Sequence, residues 1–130
     1  MRALVVEDEF ISRIIVEKML APVFEVDAVV NGSEALEAFE LAHGEERPYR
    51  LILMDIMMPG TNGLEALEII RRREDERKLP RAKVIMTTAL SDMQSVLRAF
   101  DTGQASAYIV KPIDKEKLYR ELKTLGLIED

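Results

Sequence analysis

The segment Leu51-Ile52-Leu53-Met54-Asp55 decides the fold, because four apolar residues in a row end in an acid. A strand without polar alternation is buried on both faces, which is typical of a parallel sheet between two layers of helices. The same character is found in three further runs: Ala3-Leu4-Val5-Val6, Val84-Ile85-Met86 and Tyr108-Ile109-Val110. The segment 24–29 alternates instead and suits an edge strand with one wetter face.

Segments with helical spacing of apolar residues lie between these strands. In chain order their stripes are Ile11, Ile14, Ile15 and Met19; Ala35, Leu36 and Phe39; Leu64, Leu67 and Ile70; Met93, Val96, Leu97 and Phe100; and Leu118, Leu122 and Leu125. Asn31, Asn62 and Ser91 are suitable N-caps for the second, third and fourth helices. The charged stretch 71–81 predicts the exposed end of the third helix and its loop.

Strand and helix therefore alternate five times along the chain. Short right-handed crossovers join such units into a doubly wound sheet. The sequence predicts an α/β fold of the flavodoxin-like type, with a five-stranded parallel sheet in the order 2-1-3-4-5 and five helices.

Composition restricts the number of domains and the kinds of partner. A chain of 130 residues is predicted to form a single domain, residues 1–130. The net charge of -6 argues against a nucleic-acid surface, because phosphate binding depends on Lys and Arg. The absence of Cys excludes disulfides and thiolate chemistry. The first apolar run is short and ends in acids, so we predict no signal peptide, no membrane span and a cytoplasmic location.

Polar residues follow each buried strand at its carboxyl end. Glu7 and Asp8 follow the first strand, Asp55 the third, Thr88 the fourth and Lys111 the fifth. Ligands of open α/β sheets bind outside these strand ends. We therefore expect the five side chains to converge.

Such a group of side chains predicts a phosphoryl-transfer site. Carboxylates that lie together repel one another unless a cation joins them, and oxygen ligands without His or Cys favour Mg²⁺. An amine and a hydroxyl suit phosphoryl oxygens. Asp55 is the candidate nucleophile, because it follows the central strand and a carboxylate can form an acyl phosphate.

These motifs together resemble the receiver domain family of response regulators, of the chemotaxis-regulator type, over essentially the whole chain. The matching segments are Glu7-Asp8, the run 55–63 (DIMMPGTNG), Thr88-Ala89 and Tyr108-Ile109-Val110-Lys111-Pro112. Each is common alone, but their order and their places at strand ends are specific.

The resemblance implies a role for each matching acid. Asp55 would be the phosphoacceptor. Asp8 and Asp55 would bind Mg²⁺ directly, with Glu7 close by and the backbone carbonyl of Met57 as a further ligand.

The resemblance also implies how the phosphoryl group is bound and sensed. Thr88 and Lys111 would bind the phosphoryl oxygens. Tyr108 would be the aromatic switch residue that turns inward as Thr88 moves. The bond Lys111-Pro112 is expected to be cis.

The implied function is that of a stand-alone signalling switch. A sensor histidine kinase or a phosphotransfer protein would supply the phosphoryl group, and a protein target, which the sequence does not define, would read the changed surface. The chain would be no enzyme beyond its own Mg²⁺-dependent phosphorylation and dephosphorylation. Homodimerisation stays open, and the alternative is a degenerate receiver that binds proteins independently of phosphorylation.

Two other classes of protein fit less well. A phosphatase or phosphotransferase of the haloacid dehalogenase type would need a second acid where Met57 stands. A nucleotide-binding protein would need a G-x-G-x-x-G motif or a P-loop, and the sequence contains neither. Met57 and Leu90 are apolar at positions that the resemblance places beside the hydrolytic water, which predicts slow self-dephosphorylation.

Overall fold

The computed structural model describes residues 1–58, 60–94, 97 and 104–129. Five strands form one sheet: β1 (Arg2–Val6), β2 (Glu25–Val29), β3 (Leu51–Asp55), β4 (Lys83–Thr88) and β5 (Ala107–Val110). Their order is β2-β1-β3-β4-β5, and every neighbouring pair is parallel. The predicted strand order is confirmed.

Helices cover both faces of this sheet. The α-helices within the described residues are α1 (Phe10–Leu20), α2 (Gly32–Gly44), α3 (Gly63–Arg77) and α4 (Lys115–Thr124), and a 3₁₀ turn spans Leu90–Asp92. The predicted fourth helix lies largely outside the described residues, so four of the five predicted helices are found. Within the part of the chain that the structure describes, no helix combines the length and the apolar character that crossing a bilayer requires.

Side-chain caps begin the second and third helices. Asn31 Oδ1 accepts a hydrogen bond from the Glu34 amide, and Asn62 Oδ1 accepts one from the Leu64 amide, both at 2.8 Å. These two predicted caps are confirmed. Ser91, the third, lies inside the 3₁₀ turn, which begins after Ala89 without a side-chain cap.

The packing of the central strand, β3, explains why it lacks polar alternation. Leu51 and Leu53 pack in a cluster with residues of α1 and α4, whereas Ile52 and Met54 pack in a cluster with residues of α2 and α3. Every residue of the strand is buried. Both faces of the sheet are therefore core at this central strand, whereas the edge strand β2 is only partly buried.

The charged stretch 71–81, which covers the second half of α3 and the loop after it, is only partly exposed. Arg71 and Glu74 are 4% and 1% exposed, so the prediction of an exposed helix end is wrong for these two residues. Arg71 Nη1 donates to Glu74 Oε1 at 2.7 Å, which neutralises each charge within the protein. Helical spacing alone did not distinguish this inward pair from the solvated charges around it.

Candidate functional site

Three acids meet at the carboxyl end of the sheet. β1 and β3 are neighbours, with Val6 opposite Met54, so the residues that follow these positions share one edge. Glu7, Asp8 and Asp55 each offer a carboxylate oxygen within 4.8 Å of the others. Glu7 and Asp55 are buried, while Asp8 is exposed. The acids that the sequence predicts to converge thus form one cluster.

Lys111 bridges the two buried acids. Its Nζ donates to Asp55 Oδ2 at 2.8 Å and to Glu7 Oε1 at 3.0 Å. Burial by itself lowers the pKa of Lys111, but the hydrogen bonds to Asp55 and Glu7 outweigh it and raise that pKa above its ordinary value. The amine is therefore charged. The bond Lys111-Pro112 that follows is cis, as predicted.

The fourth and fifth strands deliver the remaining predicted residues. Thr88 is buried and lies one residue beyond Thr87, the register partner of Asp55. Its hydroxyl donates to the Ala89 carbonyl at 3.0 Å, and its own carbonyl accepts from the Lys111 amide at 2.7 Å. Tyr108 is half-buried and packs against the core cluster on the α2 and α3 face.

A short ribbon after β3 was not predicted from the sequence. Residues Met57–Met58 pair antiparallel with Thr61–Asn62. The Met57 amide donates to Asp55 Oδ1 at 3.3 Å, and the Met57 side chain is 58% exposed. Asp55 thus has one carboxylate oxygen near a backbone amide and the other on Lys111.

Gly63 also escaped the sequence analysis as a determinant of the site. Its amide donates to the Ile56 carbonyl at 2.7 Å. A Cβ at this position would lie 2.2 Å from the backbone oxygen of Asp55, which no real side chain tolerates. In the sequence Gly63 is the last residue of the matching run 55–63 and a glycine directly after a helix cap, and neither signal reveals how close the Asp55 backbone lies.

The acidic cluster fits a hard divalent cation. Opposite ligands of Mg²⁺ lie roughly 4.2 Å apart, because each metal–oxygen distance is about 2.1 Å. The carboxylate oxygens of the cluster lie within 4.8 Å of one another, which is comparable with this spacing. Exposed Asp8 leaves the cluster open to solvent, as a cation that keeps several waters requires.

The sequence and the fold define the family. A sequence model of the response regulator receiver domain matches residues 3–123. The chain belongs to this family.

Individual relatives agree with this assignment. The chain is 37% identical over 125 residues to the regulatory protein VanRB of Enterococcus faecalis, a match that covers 95% of this chain and 51% of VanRB. It is 36% identical over 126 residues to the hybrid signal transduction histidine kinase L of Dictyostelium discoideum, with 96% of this chain and 7% of that protein covered. The chain thus spans about half of VanRB and a small fraction of the histidine kinase.

A solved structure of similar sequence shares the fold. The response regulator protein TrrA of Thermotoga maritima, in complex with Mg²⁺ and BeF, is 34% identical and superposes with a TM-score of 0.75. The match covers 95% of this chain and 97% of that one.

Proposed function

We propose that this chain is a phosphorylation-dependent signalling switch that accepts a phosphoryl group on Asp55. The observation that carries the proposal is the bridge from Lys111 to Asp55 and Glu7 within a cluster that also contains Asp8. Asp55 as a held nucleophile, the fixed positive charge of Lys111 and two further acids suit phosphoryl transfer. In that reaction positioning and charge neutralisation supply most of the catalysis.

In the proposed transfer an oxygen of Asp55 attacks the phosphorus of a phosphohistidine. The bond from phosphorus to the imidazole nitrogen breaks, and the imidazole leaves with that electron pair. Lys111 is close enough to Asp55 to follow the phosphoryl group and bind one of its oxygens. The donor is proposed to be a sensor histidine kinase or a phosphotransfer protein.

Mg²⁺ is the proposed cofactor. Asp8 and Asp55, with Glu7 and the Met57 carbonyl, would hold it, and when bound it supplies positive charge to the phosphoryl oxygens. The donor set supports this assignment, since the cluster contains only oxygen ligands. The ion would also relieve repulsion among the three carboxylates, two of which are bonded to Lys111.

The proposed output is a change of surface around Thr88 and Tyr108. The Thr88 hydroxyl donates to its neighbour Ala89, so binding a phosphoryl oxygen requires it to turn away. Tyr108 is half-buried, and it would move into the space that Thr88 leaves. A protein target would read that change, and the acidic domain itself would contact no nucleic acid and no membrane.

Phosphorylation of the purified chain tests this function. We expect incubation with MgCl₂ and acetyl phosphate to add one phosphate to the intact mass. Asp55→Asn should abolish the gain, whereas Asp75→Asn, which removes an exposed acid from α3, should leave it unchanged.

The same measurement separates the proposed function from a degenerate receiver. A wild-type chain that gains no phosphate would favour a binding module that works without phosphorylation. Equal gains in the wild type and in Asp55→Asn would place the acceptor elsewhere.

A further inference from the structure

We infer that Arg13 is a positioning residue that holds the turn after β1 and thereby strengthens divalent-cation binding by Asp8. The inference rests on the proposed function, because it concerns the cation that the acidic cluster would bind. It assigns a purpose to a side chain that touches neither the phosphoacceptor nor Lys111 among the contacts described.

Arg13 binds the backbone of the acidic turn. Its Nη1 donates to the carbonyl of Glu7 at 3.0 Å and to the carbonyl of Asp8 at 3.4 Å. The ring of Phe10 lies over the guanidinium, with its centre 5.5 Å from Cζ. One guanidinium nitrogen therefore clamps two consecutive peptide groups.

The hydrogen bonds of Arg13 begin where those of the sheet end. The Glu7 amide still donates to the Val29 carbonyl at 3.1 Å, which ends the ladder between β1 and β2. The next turn begins α1, where the Glu9 side chain accepts from the Ser12 amide as the N-cap. The carbonyls of Glu7 and Asp8 lie between these two systems, and Arg13 supplies their donor.

Asp8 depends on this clamp more than the other two acids. The carboxylates of Glu7 and Asp55 are buried and bonded to Lys111. Asp8 is exposed, so packing does not hold its side chain. Its direction follows from its backbone, which Arg13 fixes from the carbonyl side.

The charge of Arg13 has the opposite effect on a cation. A guanidinium near a divalent ion repels it, and removing the guanidinium would strengthen binding if charge were its main contribution. A positioning role predicts weaker binding instead, because the Asp8 ligand loses its fixed direction. The sign of the change therefore distinguishes the two roles.

The change in Mg²⁺ affinity can be measured without phosphorylation. The isotope-labelled full chain is titrated with MgCl₂ and its amide chemical shifts are followed. We expect Arg13→Met to weaken Mg²⁺ binding by on the order of tenfold, the low end for groups that orient a metal ligand. Arg13→Lys keeps the charge and one donor group, and it should bind with intermediate affinity. Arg120→Met removes the same side chain from an exposed position on α4 and should match the wild type.

The outcomes separate the two proposals. If the wild type binds Mg²⁺ and Arg13→Met binds it with equal or higher affinity, the positioning role alone is overturned. If Arg13→Met does not fold, Arg13→Lys decides in the same way, since a wild-type affinity there would overturn the role. A wild type without any Mg²⁺-dependent shift would overturn the proposed function and this inference with it.

Discussion

Gly63 sets how closely the third helix approaches the backbone of Asp55. A Cβ there would lie 2.2 Å from the Asp55 oxygen, and backbone atoms cannot move aside as a side-chain tip can. We expect Gly63→Ala to lower the free energy of unfolding by about 1–3 kcal/mol, as overpacking does, and to slow phosphorylation because Asp55 shifts. Urea unfolding and the rate of mass gain with acetyl phosphate measure the two effects.

Gly44 provides the matched control for this substitution. It ends α2, and a Cβ there would meet no atom within 4 Å. Gly44→Ala should leave phosphorylation unchanged and stabilise the chain by up to about 0.5–1 kcal/mol, since alanine loses less backbone entropy. Equal behaviour of the two variants would contradict the importance of the close approach.

The apolar side chains of Met57 and Leu90 predict a long-lived phosphoprotein. They are 58% and 74% exposed, and neither can orient a water by hydrogen bonding. We expect Met57→Asn to shorten the lifetime by on the order of tenfold, the low side of what a positioned hydrogen-bonding group contributes to catalysis. The decay of the phosphorylated mass after removal of acetyl phosphate measures it.

Leu41 is a suitable control for that experiment, since it is exposed on α2. Leu41→Asn should keep the wild-type lifetime. A wild-type lifetime equal to or shorter than that of Met57→Asn would reject slow self-dephosphorylation.

A buried ion pair attaches α3 to the segments that precede β4 and β5. Besides their mutual bond, Arg71 donates to the carbonyls of Ala82 at 2.9 Å and Gln104 at 2.8 Å, and Glu74 accepts from the Ala82 amide at 2.8 Å. Burial lowers the pKa of Arg71, and the bond to Glu74 only partly compensates. The helix therefore fixes two strands at the end of the sheet opposite the acidic cluster.

Breaking this pair should be costly. We expect Glu74→Gln to lower the free energy of unfolding by about 3–5 kcal/mol, because it leaves the Arg71 charge buried without a counterion. Glu76→Gln alters an exposed acid on the same helix and should change stability by less than about 0.5 kcal/mol. Urea unfolding compares the two.

The double variant Arg71→Met with Glu74→Leu refines this expectation. It removes both charges, so its loss should be smaller than the sum of the two single losses. A loss equal to that sum would show that the two charges do not interact.

In the molecule as a whole, the sequence predicted the features that depend on the spacing of apolar residues and on which residues end the strands. The apolar run 51–54 identified the central strand, and parallel strands necessarily bring Asp55 and Lys111 to one edge. Contacts that depend on side-chain direction were not predicted. Arg13 and Arg71 have ordinary places in their helices, and only the folded geometry turns one toward a strand end and the other inward.

We expect the stability of the domain to depend on whether a divalent cation is bound at the acidic cluster. Three carboxylates lie together and two of them are bonded to one amine, so we expect their repulsion to oppose folding when no ion is bound. We expect Asp8→Asn to raise the melting temperature in the absence of Mg²⁺, because one repelling charge is lost. MgCl₂ should stabilise the wild type by about 1.4 kcal/mol at ten times the dissociation constant, and Asp8→Asn should lose most of that gain.

Thermal unfolding at constant ionic strength, with NaCl replacing MgCl₂, separates this effect from general screening. Glu37→Gln, which removes an exposed acid from α2, should respond to Mg²⁺ as the wild type does. A melting temperature for Asp8→Asn that is lower than the wild type without Mg²⁺ would mean that the acids do not repel one another in the folded state. Keeping the three acids charged would then not reduce the stability of the domain. The cation would act on the phosphoryl group alone.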